Sequence, residues 1–201
     1  MPYRRTPAIQ ARLDEQRLAI LDAAVALLAE QGYAGCAVAS VAARAGVAAG
    51  TVYRHFDGKT ALTGEVFRAV VSREVAAVAA AVAAESGVAE QTAAFVETFA
   101  RRAMKSPRLA YALLAEPVDP TVDALRLQFR LSFRDIMAGV IADGVARGTL
   151  PPQNPPLVAA ALVGAIGEAL VGPLAGGTEE PDTLPTLIQF ARRAVGAPSP
   201  R

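Results

Sequence analysis

The stretch from Val38 to His55 constrains the fold more than any other. Two runs of helix-forming residues, Val38 to Ala45 and Ala49 to His55, meet across AGVA, with Gly46 where a helix stop belongs. Neither run is long enough to stand as an isolated helix. A short helix, a tight turn and a second short helix hold together only when a third packs behind them. The segment from Ile9 to Gln31 can do so, because Ile9, Leu13, Ala19 or Ile20, Ala23 or Ala24, Leu27 and Leu28 recur at three or four residues before Gly32 ends the pattern. A three-helix unit follows.

The rest of the chain reads the same way. Leu62, Val66, Val70 and Val78 mark a long helix from about Lys59 to Ala84, with Asp57 placed to cap its start. Further helices are expected at 89–105, 107–115, 121–147, 156–175 and 181–195, punctuated by Pro107, Pro117, Pro120 and Gly148, a PPQNPP loop and GGTEEP. Apolar residues make up 53% of the 201 positions, alanine being the commonest of them, and alanine loses least on entering a helix. No strand-like alternation is present, so the expected fold is all-α. Its expected domains are 1–58, the helix-turn-helix unit, and 59–201, a larger helical unit. Both chain ends, 1–7 and 197–201, are expected to fray.

In the three-helix unit Val38, Val41, Ala42, Val47, Val52 and Phe56 face inward. The second short helix then projects Ala49, Gly50, Thr51, Arg54 and His55. Small residues at its start let the backbone approach a surface, and the later ones donate hydrogen bonds. A DNA major groove admits one helix in that way, with phosphates on either side.

The stretch GYAGCAVASVAARAGVAAGTVYRHFDGKTAL resembles the helix-turn-helix of TetR-family transcriptional regulators, through its glycine-aromatic pair, AGV, GTVYxxF, Lys59 and Leu62. The likeness spans roughly residues 9–66. It implies that Thr51 and Arg54 face base edges, that Tyr53 and His55 bind phosphates, that Lys59 binds a phosphate from the next helix, and that Ala49 and Gly50 permit close approach. Arg44 is either a surface charge or a further phosphate contact, and Arg4, Arg5 and Arg12 are either a basic arm or a tail. Four positions depart from the family pattern. Cys36 and Ala37 stand where threonine or serine is favoured, Ala48 where serine is, Ala49 where a basic residue is frequent, and Thr60 where an acid is usual. Each lost cap removes about 1 kcal/mol of local helix stability, and each lost phosphate contact lowers affinity and its salt dependence.

The same resemblance implies that the larger unit pairs two chains and holds a small ligand. LVAAALVGAIGEALVGPLA, from Leu157, is apolar around most of its circumference, and such a helix must be buried. Leu162, Ile166, Leu170, Leu187 and Phe190 are the expected homodimer contacts in a four-helix interface, with Gly164 and Gly167 allowing close approach. Phe95, Phe99, Met104, Tyr111, Phe129, Phe133 and Met137 carry most of the bulk available to line a ligand cavity, and Glu116 and Arg130 are candidates to orient a polar group. Glu168 reads equally as a partnered buried acid or a pocket residue. The apolar bias points to a hydrophobic effector.

Charge and composition bound the alternatives. Net charge is +1, with seven basic and five acidic residues among the first sixty, so any basic character belongs weakly to the N-terminal unit. One cysteine and one histidine leave no disulfide framework, no metal site and little for catalysis, so neither a cofactor nor an enzymatic role is expected. No apolar stretch follows the first arginines, and Glu168 and Pro173 interrupt the best membrane-span candidate. The expectation is a cytoplasmic, non-membrane homodimer that binds double-stranded DNA and a small-molecule effector, with a ligand carrier that has lost DNA binding as the alternative.

Overall fold

A computed structural model describes residues 7–176 and 181–197. Arg4 and Arg5, and the tail beyond Ala197, lie outside the described residues. Nine helices run through the described residues: α1 (Pro7–Gly35), α2 (Val38–Arg44), α3 (Ala49–His55), α4 (Gly58–Ala83), α5 (Val88–Lys105), α6 (Pro107–Leu114), α7 (Pro120–Ala146), α8 (Pro155–Gly176) and α9 (Thr183–Ala194). No strand occurs among them.

The head is built from α1 to α3. Val41, Val52 and Phe56 close on Ile20, Leu27 and Leu28 of α1, and all six are buried. The α2–α3 turn is a Schellman stop: Gly46 at φ 67 donates to the Ala43 carbonyl, and Val47 N–H donates to that of Ala42. The expected stop at Gly32 takes the form of a bend, since α1 resumes for three residues after a break at φ 71, ψ −167. Asp57 stands at the N-cap of α4 but makes no cap bond, because its ψ of 70 is not the extended geometry that aims a cap side chain. Ala37 and Ala48, at the N-caps of α2 and α3, also provide none.

Two apolar cores meet along α4. Its first half gives Leu62, Val66, Phe67 and Val70 to the head-side core, which also takes Ala112 of α6 and Val122 of α7. Its second half gives Val71, Val78 and Val82 to a larger core shared with α5, α7, α8 and α9. α1 and α8 are each long and apolar enough to cross a membrane by length and composition, yet both place one flank in these cores.

The α8 stripe corrects one expectation. Leu162, Ile166, Leu170 and Leu187 are buried in the chain's own larger core, so they are not available to a second copy. The opposite stripe of α8, through Leu157, Ala161, Gly164, Glu168 and Gly172, is exposed, as is Phe190 on α9. On a helix apolar all round, sequence alone does not say which stripe faces inward. Here Leu162, Ile166 and Leu170 face the core, and the outward stripe carries mostly small residues, with Leu157 and Glu168 among them.

Candidate nucleic-acid interface and effector cavity

The outer face of α3 follows from Val52 being buried. One turn around from it Ala49, Gly50, Tyr53 and Arg54 are exposed, Tyr53 at 60%, while Thr51 and His55 are half-buried. His55 Nε2 lies 3.5 Å from the Gln16 side-chain oxygen of α1. Arg44 is exposed and forked onto Glu30, with both N···O distances at or below 2.6 Å. That pairing holds the Glu30 carboxyl below its ordinary range. Cys36 is buried, its thiol 3.5 Å from the Ala24 carbonyl, and burial pushes it up to about 11. Cys36, one residue before the Ala37 N-cap of α2, therefore fills the core.

Lys59 is held from behind. Its Nζ sits 4.1 Å from the centre of the Tyr33 ring, a cation–π distance. Tyr33 is in turn tied to the turn after α6. Its N–H donates to Glu116 Oε2 at 2.9 Å, and its hydroxyl donates to Asp119. Asp119 also accepts from the Thr60 hydroxyl at 3.2 Å and caps α7 through Val122 N–H at 3.4 Å. The bend at Gly32 frees the Tyr33 N–H for this contact.

Desolvation, with the Asp119 charge, raises Tyr33 from 10 to about 12, and the Tyr33 hydroxyl holds Asp119 below its ordinary 3.8. The signs are opposite. Asp119 contributes stability that is present above pH 3.8 and is lost as pH falls through its lower folded value. Tyr33 contributes stability that is full below pH 10 and is lost as pH rises toward 12. Tyr33→Phe should flatten both limbs of a plot of urea midpoint against pH, and unchanged limbs would show that the pair does not stabilise the junction.

A cavity of about 720 Å³ opens between α4, α5, α6, α7 and α8. Phe99, Phe129 and Phe133 line it, with Phe133 edge-on to Phe99 at 5.2 Å. Arg130 and Glu168 also line it. Phe95 and Met137 do not, being packed in the larger core at 1% and 0% exposure. Met104 and Tyr111 are half-buried outside the lining, and Glu116 is at the Tyr33 junction. Sequence reasoning missed Phe67, Val70 and Val71 of α4, Leu109 and Leu113 of α6, and Arg126. Apolar periodicity marks the five apolar residues among these as inward-facing, but only the helix crossings decide whether inward means core or cavity.

Polar groups interrupt the apolar wall. Arg102 is paired with Glu74, and Arg126 with Asp123, while Lys105 and Arg130 form no ion pair among the described residues. No group of three or more His, Cys, Asp or Glu able to hold a metal occurs among the described residues.

Residues 20–66 match the family model described as bacterial regulatory proteins, tetR family. The HTH-type transcriptional repressor KstR2 of Rhodococcus jostii (strain RHA1) is 28% identical over 145 residues, 67% of each chain. Among solved structures, the fatty acid degradation regulator FadR from Bacillus halodurans is similar with a TM-score of 0.78 at 19% identity, over 99% of this chain and 100% of that one. FadR from Bacillus subtilis, solved in complex with stearoyl-CoA, gives 0.77 at 19% identity over 90% and 99%. At those identities the structural likeness establishes the fold.

Proposed function

Because the chain belongs to the TetR family of bacterial regulatory proteins and is a transcriptional regulator, we propose that it is a cytoplasmic homodimeric repressor released from a palindromic operator by a small molecule with an apolar body. The boundary between its operating parts falls near residue 58. The observation that carries the DNA reading is the outward face of α3. Thr51 and Arg54 read base edges, Tyr53, His55 and Lys59 hold phosphates, and Ala49 and Gly50 let the helix start approach the groove floor. Arg44 reaches a phosphate only by leaving Glu30.

The second copy packs on the exposed stripe of α8 and on Phe190 of α9, a C2 arrangement that sets two α3 helices in successive grooves. The effector occupies the 720 Å³ cavity. Its apolar wall, and the stearoyl-CoA in the similarly folded Bacillus subtilis FadR, support an apolar body for it. Effector binding acts by preferring the arrangement in which the two heads are out of register, and a coupling of about 1 to 3 kcal/mol is enough.

Selection of random duplex DNA by the purified protein tests this reading. A palindrome should be enriched and bound with a steep salt dependence. Tyr53→Phe, which removes an uncharged hydroxyl, should weaken binding of every sequence alike and leave the salt slope unchanged, whereas Thr51→Ala should weaken the selected sequence by about 1 kcal/mol or more and relax its choice of base. No enrichment at low salt would leave a ligand carrier with a lapsed helix-turn-helix.

A further inference from the structure

Arg126 is the one mostly buried cation in the cavity wall, with only 11% of its side chain exposed. A guanidinium has five N–H donors. Four are used: Nε–H to the Leu113 carbonyl at 2.9 Å, both on Nη2 to the carbonyls of Ala112 and Glu116 at 3.2 and 2.7 Å, and one on Nη1 to Asp123 at 2.9 Å. The fifth, also on Nη1, has no acceptor among the described residues. Asp123, its only ion-pair partner among the described residues, is 54% exposed and so is partly neutralised by water, while the Glu116 carboxylate acts on Arg126 only as a more distant charge. Arg130 repels Arg126 from the same wall, which adds to the demand for negative charge there.

The three carbonyls are not arbitrary. Ala112 and Leu113 end α6, where carbonyls lack helical partners, and Glu116 lies in the turn that follows. Arg126 is thus the C-terminal cap of α6, and it fixes the turn whose Glu116 and Asp119 side chains hold Tyr33. Tyr33 backs Lys59. One side chain therefore touches both the cavity and the far end of the contact to the head.

We propose that the effector carries an anionic head, a carboxylate or a phosphate, that pairs with Arg126 and draws it off the α6 carbonyls, loosening the Glu116–Asp119 grip on Tyr33. This rests on the reading of the cavity as the effector site. Arg126 is then both the headgroup contact and the positioning residue for the turn, so ligands of equal apolar body differ in their power to release DNA according to their charge.

The test compares dodecanoate, dodecyl phosphate and dodecanol for binding to the full chain by calorimetry. Both anions, or one of them, should bind roughly tenfold or more tightly than the alcohol, the size of one charge-assisted hydrogen bond. The tighter anion identifies the headgroup. Arg126→Gln should bring the anions down to the alcohol and leave the alcohol unchanged, which also shows that the variant is folded. Arg126→Lys, which keeps the charge but loses the fork, covers the case in which the glutamine variant does not fold, and should keep part of the preference.

Hydrogen exchange then reads the relay. Amides of residues 33–36 should exchange faster with bound anion and not with bound alcohol, and in Arg126→Gln, which lacks the cap, they should exchange faster already without ligand and gain nothing further from the anion. Equal binding of all three compounds by the intact protein overturns the anionic head alone, and an anion preference that survives Arg126→Gln overturns the role of Arg126. Tight anion binding with unchanged exchange overturns the relay. Failure of all three to bind overturns the effector-cavity reading itself, and this inference with it.

Discussion

Gly32→Ala is expected to lower stability by about 2 to 3 kcal/mol, read as a shift in urea midpoint, because φ 71 with ψ −167 lies in a region that essentially only glycine occupies. The added methyl would also lie 2.7 Å from both Glu116 carboxylate oxygens. That clash alone is mild, since a carboxylate at the end of a flexible side chain can withdraw. Withdrawal, however, leaves the Tyr33 N–H without its acceptor. Backbone strain and a lost hydrogen bond therefore act together. Gly50→Ala provides the contrast: its methyl meets nothing within 4 Å and its backbone is helical, so stability should rise by about 0.5 to 1 kcal/mol. A Gly32→Ala midpoint equal to that of the unsubstituted protein would mean that α1 straightens at no cost and that the bend is not required.

Phe67→Ala is expected to cost about 3 kcal/mol or more. Its ring is fully buried in the head-side core and also forms part of the cavity wall. Neighbours normally relax into the space left by a truncated side chain. Here the new space joins an existing void of about 720 Å³, so collapse recovers little. Phe99→Ala, on α5 and half-buried, loses less contact and should cost correspondingly less. A Phe67→Ala loss under about 1 kcal/mol would mean that α4 and α6 close on the vacated site.

Local signals in the sequence located most of the architecture. Glycine and proline punctuation placed every helix to within about two residues at most ends, and the buried set of the three-helix unit, Val41, Ala42, Val52 and Phe56, follows from helical period alone. The outward residues of α3 come from the same count. What was not legible depends on contacts between distant segments. Glu116 was expected near the ligand, but it bonds to Tyr33 across a separation of 83 residues, and no periodicity pairs those positions. Leu162, Ile166 and Leu170 were expected at a dimer interface because α8 is apolar on every side, and only packing divides such a helix into faces. Arg126 carried no signal, since an arginine on an amphipathic helix reads as solvated until its carbonyl partners on α6 are seen.

The division of α4 between two cores bears on how such proteins exchange parts. A head cut out at residue 58 would leave Ile20, Leu28 and Val52 in a core missing Leu62, Val66 and Phe67. The seam at which apolar neighbours change is inside the helix, between Val70 and Val71, where an uninterrupted backbone offers no natural joint. A transplanted head therefore has to bring the first half of α4 with it, along with a recipient surface able to replace Ala112 and Val122. Recombination that respected only the helix-turn-helix would yield chains with the right recognition residues on an unstable support.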